Sequence, residues 1–146
     1  MAVPHTLRER RAFVDSSAYL ALLDADDQYP LEAEAILRRL VAARYRQFTT
    51  NVLLIEAHAL ILSTLGRDRA AQFLVAMGSS ATTAVRVRAA DETQAQTLLL
   101  HHTDKSYSFA DAISFVVMER LGIRAVFTFD RHFAQFGLLI CNSHLL

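Results

Sequence analysis

The sequence is poor in the residues that interrupt or cross-link a fold. Its 146 residues include four glycines, two prolines and a single cysteine, Cys141. One cysteine excludes an intramolecular disulfide and a cysteine-based zinc cluster, and it fits a reducing compartment. So few glycines and prolines leave no segment typical of a long flexible linker. With 53% hydrophobic residues, the chain is expected to form one domain over residues 1–146, with residues 1–10 as a loose N-terminal lead.

Net charge and long apolar runs are missing too. Fifteen basic and fifteen acidic residues cancel, so no overall field draws the protein to a polyanion or a membrane surface. Any affinity for nucleic acid must therefore be local. The longest apolar stretch, residues 52–62, is interrupted by Glu56 and His58 and is too short to cross a bilayer. Because the N-terminus also lacks the residue order of a secretory signal, we expect a cytoplasmic protein without a membrane segment.

Arginine supplies nearly all of the positive charge, since Lys105 is the only lysine. The planar guanidinium group suits phosphate and carboxylate. Arginines cluster at residues 8–11, 38–46 and 67–69, where they either bind phosphate or form solvated helix faces.

Segments with strand and helix patterns alternate along the chain. The pattern predicts strands at residues 11–14, 48–50, 84–88, 124–129 and 138–141, separated by helices at 16–23, 31–46, 52–65, 68–77, 92–102 and 108–121. This order is typical of an α/β fold, in which right-handed crossovers place helices on both faces of a parallel central sheet.

Two of the predicted strands run directly into an aspartate. The first reads AFVD and ends at Asp15, and the fourth contains VFTFD and ends at Asp130. Ligands bind beyond the carboxyl ends of the strands in such sheets. If the first and fourth strands are neighbours, both aspartates lie at the mouth of the site. Each of them could instead cap the helix or turn that follows it.

Two further acids lie in predicted helices. Glu56 is surrounded by apolar residues three and four positions away, and an unpaired carboxylate on such a face must be protonated, pair with a cation or bind a metal. An arginine partner is the simplest alternative. Asp111 follows Ser108 with the spacing of a capping box, which offers a purely structural role.

Four carboxylates cannot all be ionised in one small pocket unless cations offset their repulsion. Oxygen ligands of this kind suit Mg²⁺ or Mn²⁺. Such an ion can activate a water and stabilise charge on a phosphoryl oxygen. The acids therefore indicate metal-assisted hydrolysis of a phosphate ester.

Several motifs resemble those of a known family. They are VDSS at residues 14–17, Glu56 within an apolar helix, DKSYSFADAISF at 104–115 and FTFDRHF at 127–133. Together they resemble the PIN-domain ribonucleases, especially the VapC-type toxins of bacterial toxin–antitoxin pairs. The similarity extends from about Phe13 to Gly137.

The resemblance implies a role for each matching residue. The catalytic and metal-binding acids, with Mg²⁺ or Mn²⁺ among them, would be Asp15, Glu56, Asp111 and Asp130. Supporting residues would be Ser16 or Ser17, Thr128, and Asp104 as an outer acid or a loop anchor. Arg131 and His132 are expected to contact the substrate, unless His132 is a loop residue that packs on Phe133. The family also implies an RNA substrate such as transfer RNA or a ribosomal RNA loop, a cognate antitoxin and a homodimer.

Two other functions are compatible with the same residues. A phosphatase or receiver-like domain would use Asp15 as a nucleophile and Lys105 to hold the phosphate. A non-catalytic module that binds RNA or protein would carry the acids without a metal.

Overall fold

Strands and helices alternate through the described part of the chain, residues 10–26 and 29–142 of a computed structural model. The strands are β1 Arg11–Val14, β2 Arg46–Thr50, β3 Thr83–Val85, β4 Ala125–Phe127 and β5 Leu139–Ile140. The helices are α1 Ser16–Leu23, α2 Pro30–Ala42, α3 Asn51–Leu65, α4 Arg67–Gly78, α5 Ala89–His101, α6 Phe109–Leu121 and α7 Arg131–Gln135. Of the expected N-terminal lead, only Arg10 lies within the described residues.

The strands form one parallel sheet in the order β3-β2-β1-β4-β5. The central strand β1 pairs with β2 on one side and β4 on the other, so that Phe13 lies opposite Phe48 and Val126. The predicted α/β fold with a parallel central sheet is confirmed.

Each face of the sheet is covered by its own helices because strand side chains alternate between the faces. On one face, Ala12 and Val14 belong to an apolar core completed by α1, α2, α3 and α4. On the other face, Phe13 and Val126 pack in a second core with α5, α6 and α7. The predicted helical cover on both faces is therefore present.

The order in which the chain adds strands to the sheet reverses between the neighbouring strands β1 and β4. From β1 it builds outward to β2 and β3, and after α5 and α6 it returns to the other side of β1 to form β4 and β5. A crevice opens beyond the carboxyl ends of neighbouring strands at such a switch point. The fold thus places its natural binding site beyond Val14 and Phe127.

Two predicted elements extend too far. The helix expected over residues 31–46 ends at Ala42, because Arg44 adopts a positive φ of 58° and Arg46 already donates its N–H to Arg10 O at 2.8 Å as β2 begins. The strand expected over residues 84–88 ends at Val85, because Val87 donates its N–H to the Asn51 side chain at 2.9 Å.

The last two strands are also shorter than predicted, and one helix was missed. β4 ends at Phe127 rather than residue 129, and β5 covers Leu139–Ile140 of the expected 138–141. Between them lies the five-residue helix α7, which is too short to produce a periodic apolar pattern. None of the described helices combines the length and the apolar composition that crossing a bilayer requires.

Candidate active site

The site lies where β1 and β4 end side by side. Asp15 directly follows β1, and its backbone N–H donates to Phe127 O at the end of β4 (3.0 Å). Asp130 is the N-cap of α7, a few residues beyond β4. The expectation that the first and fourth strands are neighbours is confirmed by their pairing. Both aspartates therefore lie at the same edge of the sheet.

The two oxygens of the buried Asp15 carboxylate have different surroundings. Oδ2 accepts hydrogen bonds from Ser17 Oγ (2.7 Å) and Thr128 Oγ1 (2.9 Å) and a longer one from Ser17 N (3.4 Å), which caps α1. Oδ1 has only a long contact of 3.5 Å with Ser16 Oγ. The capping role and a ligand-binding role are therefore compatible, since each uses a different oxygen.

The hydroxyl groups of Ser17 and Thr128 connect Asp15 to the segment that follows β4. Ser17 Oγ accepts the Phe129 N–H at 3.0 Å, and Thr128 Oγ1 accepts the Asp130 N–H at 2.9 Å. Each hydroxyl has one proton, and both protons can be directed at Asp15 Oδ2. These side chains thus hold Asp15 in one orientation and position the start of α7 relative to it.

Glu56 approaches Asp15 from α3 through Ser16. Ser16 Oγ donates to Glu56 Oε1 at 2.6 Å, and no described arginine pairs with this carboxylate. The arginine partner that the sequence left open is therefore not found among residues 10–26 and 29–142. A serine shared by two acids keeps them close without neutralising either charge.

Burial raises the pKa of Asp15 to about 6. The hydrogen bonds from Ser17 and Thr128 act in the opposite direction, and the negative charge of Glu56 raises the pKa further. Ionised Asp15 is thus costly near neutral pH unless a cation lies beside it.

Asp111 and Asp130 both cap helices, as the sequence allowed. Asp111 forms a capping box with Ser108: its Oδ2 accepts the Ser108 N–H (3.1 Å), and its own N–H donates to Ser108 Oγ (3.0 Å). Asp130 caps α7 by accepting the His132 N–H through Oδ1 at 2.9 Å. In each case the other carboxylate oxygen accepts no hydrogen bond from the described residues.

His132 lies between these two carboxylates. Its Nδ1 is 3.0 Å from Asp111 Oδ2 and 3.3 Å from Asp130 Oδ1. Asp111, Asp130 and His132 can each offer a ligand atom within 4.8 Å of the others, which makes them a candidate metal group. His132 belongs to α7 rather than to a loop, and it contacts acids where the sequence suggested contact with a substrate.

The four expected acids thus form two groups rather than one ring. Asp15 and Glu56 are joined through Ser16, whereas Asp111 and Asp130 are joined through His132. Thr128 links the groups, because it donates to Asp15 and accepts from the backbone of Asp130.

The remaining expected residues lie at the periphery. Asp104 is 76% exposed and pairs with Lys105 at 3.8 Å in the loop before α6, which leaves its role as an outer acid a prediction. Arg131 is exposed at the start of α7. Two arginines of the predicted clusters have structural partners at the opposite ends of the strands, where Arg10 and Arg11 donate to carbonyl groups near the ends of α2 and α6.

The donor set fits a hard divalent cation. Asp111, Asp130 and Glu56 each retain a carboxylate oxygen that accepts no hydrogen bond from the described residues, and Asp15 retains one with only a long contact. Uncommitted carboxylate oxygens are the ligands that Mg²⁺ and Mn²⁺ prefer.

Comparison with known proteins agrees with this arrangement. The PIN domain family model matches residues 12–138. The chain is 35% identical over 129 residues to proteins named 23S rRNA-specific endonuclease VapC20 from two strains of Mycobacterium tuberculosis, CDC 1551 / Oshkosh and H37Rv, covering 87% of this chain and 95% of the relative.

A solved structure shows the same similarity. The crystal structure of Mycobacterium tuberculosis VapC20, described as a sarcin-ricin loop cleaving toxin, superposes with a TM-score of 0.79 at 32% identity and covers 88% of this chain and 96% of that one. The resemblance drawn from the motifs is confirmed. With the family model extending over most of the sheet and both groups of acids, the chain belongs to the PIN-domain family.

Proposed function

We propose that this protein is a metal-dependent endoribonuclease of the VapC type and acts as the toxin of a toxin–antitoxin pair. The observation that carries the proposal is the set of four carboxylates at the switch point of a PIN fold, each with an oxygen that accepts at most one long hydrogen bond from the described residues. The VapC20 relatives, which are named as endonucleases specific for 23S rRNA, support the reaction class.

A bound Mg²⁺ or Mn²⁺ would supply an activated water and charge stabilisation at the scissile phosphate. The side chains of the protein would hold the ion and orient the carboxylates that bind it. Asp15, Asp111, Asp130 and Glu56 would hold the ion through their carboxylate oxygens, while Ser17 and Thr128 fix the Asp15 carboxylate and Ser16 orients Glu56.

As the substrate we prefer a ribosomal RNA loop to transfer RNA, because the VapC20 relatives are named as specific for 23S rRNA and the solved VapC20 structure is described as that of a sarcin-ricin loop cleaving toxin. The overall charge is zero, so phosphate contacts must come from individual side chains. Arg131 is the best placed, because it is exposed and adjacent to Asp130. A ribosomal substrate would also require a cytoplasmic location.

The alternative functions have weaker support. In a phosphatase or receiver-like domain, Lys105 would hold a phosphate near Asp15, but Lys105 instead pairs with the exposed Asp104. A non-catalytic module has no need for four carboxylates kept partly free of hydrogen bonds at one edge of the sheet.

Metal removal tests the proposal directly. Extensive chelation should abolish cleavage of a ribosomal RNA stem-loop by the purified protein, and Mg²⁺ or Mn²⁺ should restore it, because the acids repel one another and the phosphate without a cation. Cleavage is measured by gel analysis of end-labelled RNA. The Asp111→Asn variant, purified in parallel, controls for contaminating nucleases. Metal-independent cleavage, or equal cleavage by the variant, would refute the proposed activity.

An antitoxin partner and a homodimer complete the proposal. The antitoxin follows from the VapC type, and we expect it to cover the acidic site. The homodimer is supported by exposed apolar side chains on α3 and α4, which are Ile55, Leu62, Leu74 and Val75. Large exposed apolar side chains grouped on adjacent helices commonly mark an interface.

Substituting Ile55 tests the dimer. Ile55 is 69% exposed, so Ile55→Glu should leave folding intact but convert a dimer into a monomer by placing two charges in the buried interface. Light scattering after size exclusion measures the mass. Leu100→Glu on α5 is the matched control, because Leu100 is 78% exposed but lies on a different helix, and it should stay dimeric. A wild-type monomer, or equal behaviour of both variants, would contradict an interface on α3 and α4.

A further inference from the structure

The imidazole of His132 is held rigidly within the site. Its backbone N–H donates to Asp130 Oδ1 at 2.9 Å, which fixes the residue at the start of α7. Its ring packs edge-on against Tyr107, with centroids 5.5 Å apart and planes at 85°. Tyr107 is itself buried against Phe115 of α6. The direction of Nδ1 is therefore determined by packing and not only by its contacts with the acids.

The distances around Nδ1 match those between neighbouring ligands of one ion. Six-coordinate ions with bonds of about 2.1 Å place adjacent ligand atoms roughly 3 Å apart. Nδ1 is 3.0 Å from Asp111 Oδ2 and 3.3 Å from Asp130 Oδ1. The three residues can thus serve one centre after only small side-chain adjustments.

The existing hydrogen bonds also suit this arrangement. Asp111 Oδ2 accepts from Ser108 N, and Asp130 Oδ1 accepts from His132 N, so both carboxylates are anchored by backbone groups without the His132 imidazole. The imidazole is thus not required to orient either acid. Two carboxylates that converge on one nitrogen need positive charge between them, which either a proton on Nδ1 or a bound divalent ion supplies.

We propose that His132 binds the divalent ion through Nδ1, together with Asp111 and Asp130. The inference rests on the proposed metal-dependent function, and it goes further by adding a nitrogen ligand to the acids. It replaces the expectation that His132 contacts the substrate.

A nitrogen ligand changes which ion the site prefers. Both Mn²⁺ and Mg²⁺ bind carboxylate oxygens, but the transition-metal ion Mn²⁺ accepts an imidazole nitrogen more readily than the harder Mg²⁺ does. With His132 as a ligand, the site should bind Mn²⁺ more tightly than Mg²⁺. Without it, the remaining oxygen ligands should discriminate less between these two ions.

Pulsed electron paramagnetic resonance of the Mn²⁺-loaded protein tests the bond itself. Wild type should show the ¹⁴N coupling of a metal-bound imidazole, and His132→Phe should not, although it keeps a ring against Tyr107. His132→Asn, which has no imidazole, is the second variant and should also lack this coupling. His102→Phe is the matched control, because His102 also packs near Tyr107 (5.9 Å) but is not part of the metal group, and it should retain the coupling.

Calorimetric titration adds a readout that does not depend on RNA cleavage. In His132→Phe the Mn²⁺ affinity should fall at least about 10-fold, because losing a ligand costs no less than losing a residue that orients one, while the Mg²⁺ affinity changes much less. His102→Phe should bind both ions as wild type does. Thermal unfolding of each variant in the presence of a chelator verifies that it is folded.

The outcomes separate this inference from the proposed function. If wild type binds Mn²⁺ but shows no imidazole coupling, the His132 ligand is refuted and the acids alone hold the ion. If the coupling persists in His132→Phe, the His132 ligand is refuted because another histidine binds the ion. If wild type binds neither Mn²⁺ nor Mg²⁺, the metal-dependent function fails as well.

Discussion

Replacing Asp15 with asparagine should abolish RNA cleavage and, at the same time, make the metal-free protein more stable. Asparagine is as good a helix cap as aspartate, and its side-chain oxygen can still accept from Ser17 and Thr128. It cannot supply the negative charge that holds a divalent ion. We expect cleavage to fall on the order of a thousandfold.

The gain in stability follows from the raised pKa. Burial brings the pKa of Asp15 to about 6 from an ordinary value of 3.8, so the folded protein holds this proton more tightly than the unfolded chain does. Between pH 4 and pH 6 the folded state binds more protons, and its stability therefore falls as the pH rises through this range. Above pH 6 the full cost remains, about 3 kcal/mol.

Urea unfolding in the presence of a chelator measures this effect. At pH 7.5 Asp15→Asn should have the larger free energy of unfolding, and the difference should shrink as the pH falls from 6 to 4. Glu92→Gln on α5, which neutralises an exposed acid away from the site, is the control and should leave cleavage unchanged and lower the stability by less than about 1 kcal/mol, since Glu92 lies in the first turn of its helix. A variant that is less stable than wild type at pH 7.5, or that still cleaves RNA, would contradict the prediction.

Sequence patterns predicted most of the fold because its central strands, β1 and β4, are buried on both faces. β1 and β4 read as continuous apolar runs ending in an acid, and their adjacency placed Asp15 and Asp130 at one edge of the sheet. The pattern was less informative where tertiary contacts end an element. The end of α2 depends on the turn at Arg44, and the end of β3 depends on a hydrogen bond that Val87 N–H donates to the Asn51 side chain, 36 residues away in sequence.

The residues of the candidate site could be predicted from the sequence, but the side-chain contacts that join them could not. Acids after strands and within apolar helix faces identified Asp15, Asp130, Asp111 and Glu56. Their division into two groups depends on the side-chain directions of Ser16 and His132, which only the packed structure determines. The DRHF segment did indicate a contact for His132, because a histidine two residues after a helix-capping acid can contact that acid. The contact could not be predicted because α7 is too short to be recognised from the sequence.

Replacing Arg120 should destabilise the protein but leave RNA cleavage intact, whereas Asp15→Asn should stabilise the metal-free protein and abolish cleavage. Arg120 of α6 forms two hydrogen bonds of 2.9 Å with Asp91 of α5, and Asp91 is only 2% exposed. Arg120→Met keeps the apolar part of the side chain and leaves a buried carboxylate without its partner. We expect a loss of about 3 kcal/mol in the free energy of unfolding.

The pH dependence of stability identifies Asp91 as the cause. Burial acts to raise the pKa of Asp91, but hydrogen bonds from Arg120 and the Arg88 backbone, together with their charges, hold it below its usual value. This group therefore stabilises the wild type above about pH 4, and the contribution is lost as the pH falls through the lower folded pKa. In Arg120→Met, that loss on acidification should be much smaller.

Cleavage by Arg120→Met should remain near the wild-type rate at temperatures well below its melting point, because Arg120 lies at the opposite end of α6 from Asp111. Arg38→Met is the matched control: its partner Glu34 is one turn away on α2, both side chains are mostly exposed, and the cost should be about 0.5 kcal/mol or less. An Arg120→Met protein that is as stable as Arg38→Met would show that Asp91 finds another partner. One that is destabilised and also inactive in the cold would show that the α5–α6 contact positions Asp111, so that folding and catalysis are not separable at this ion pair.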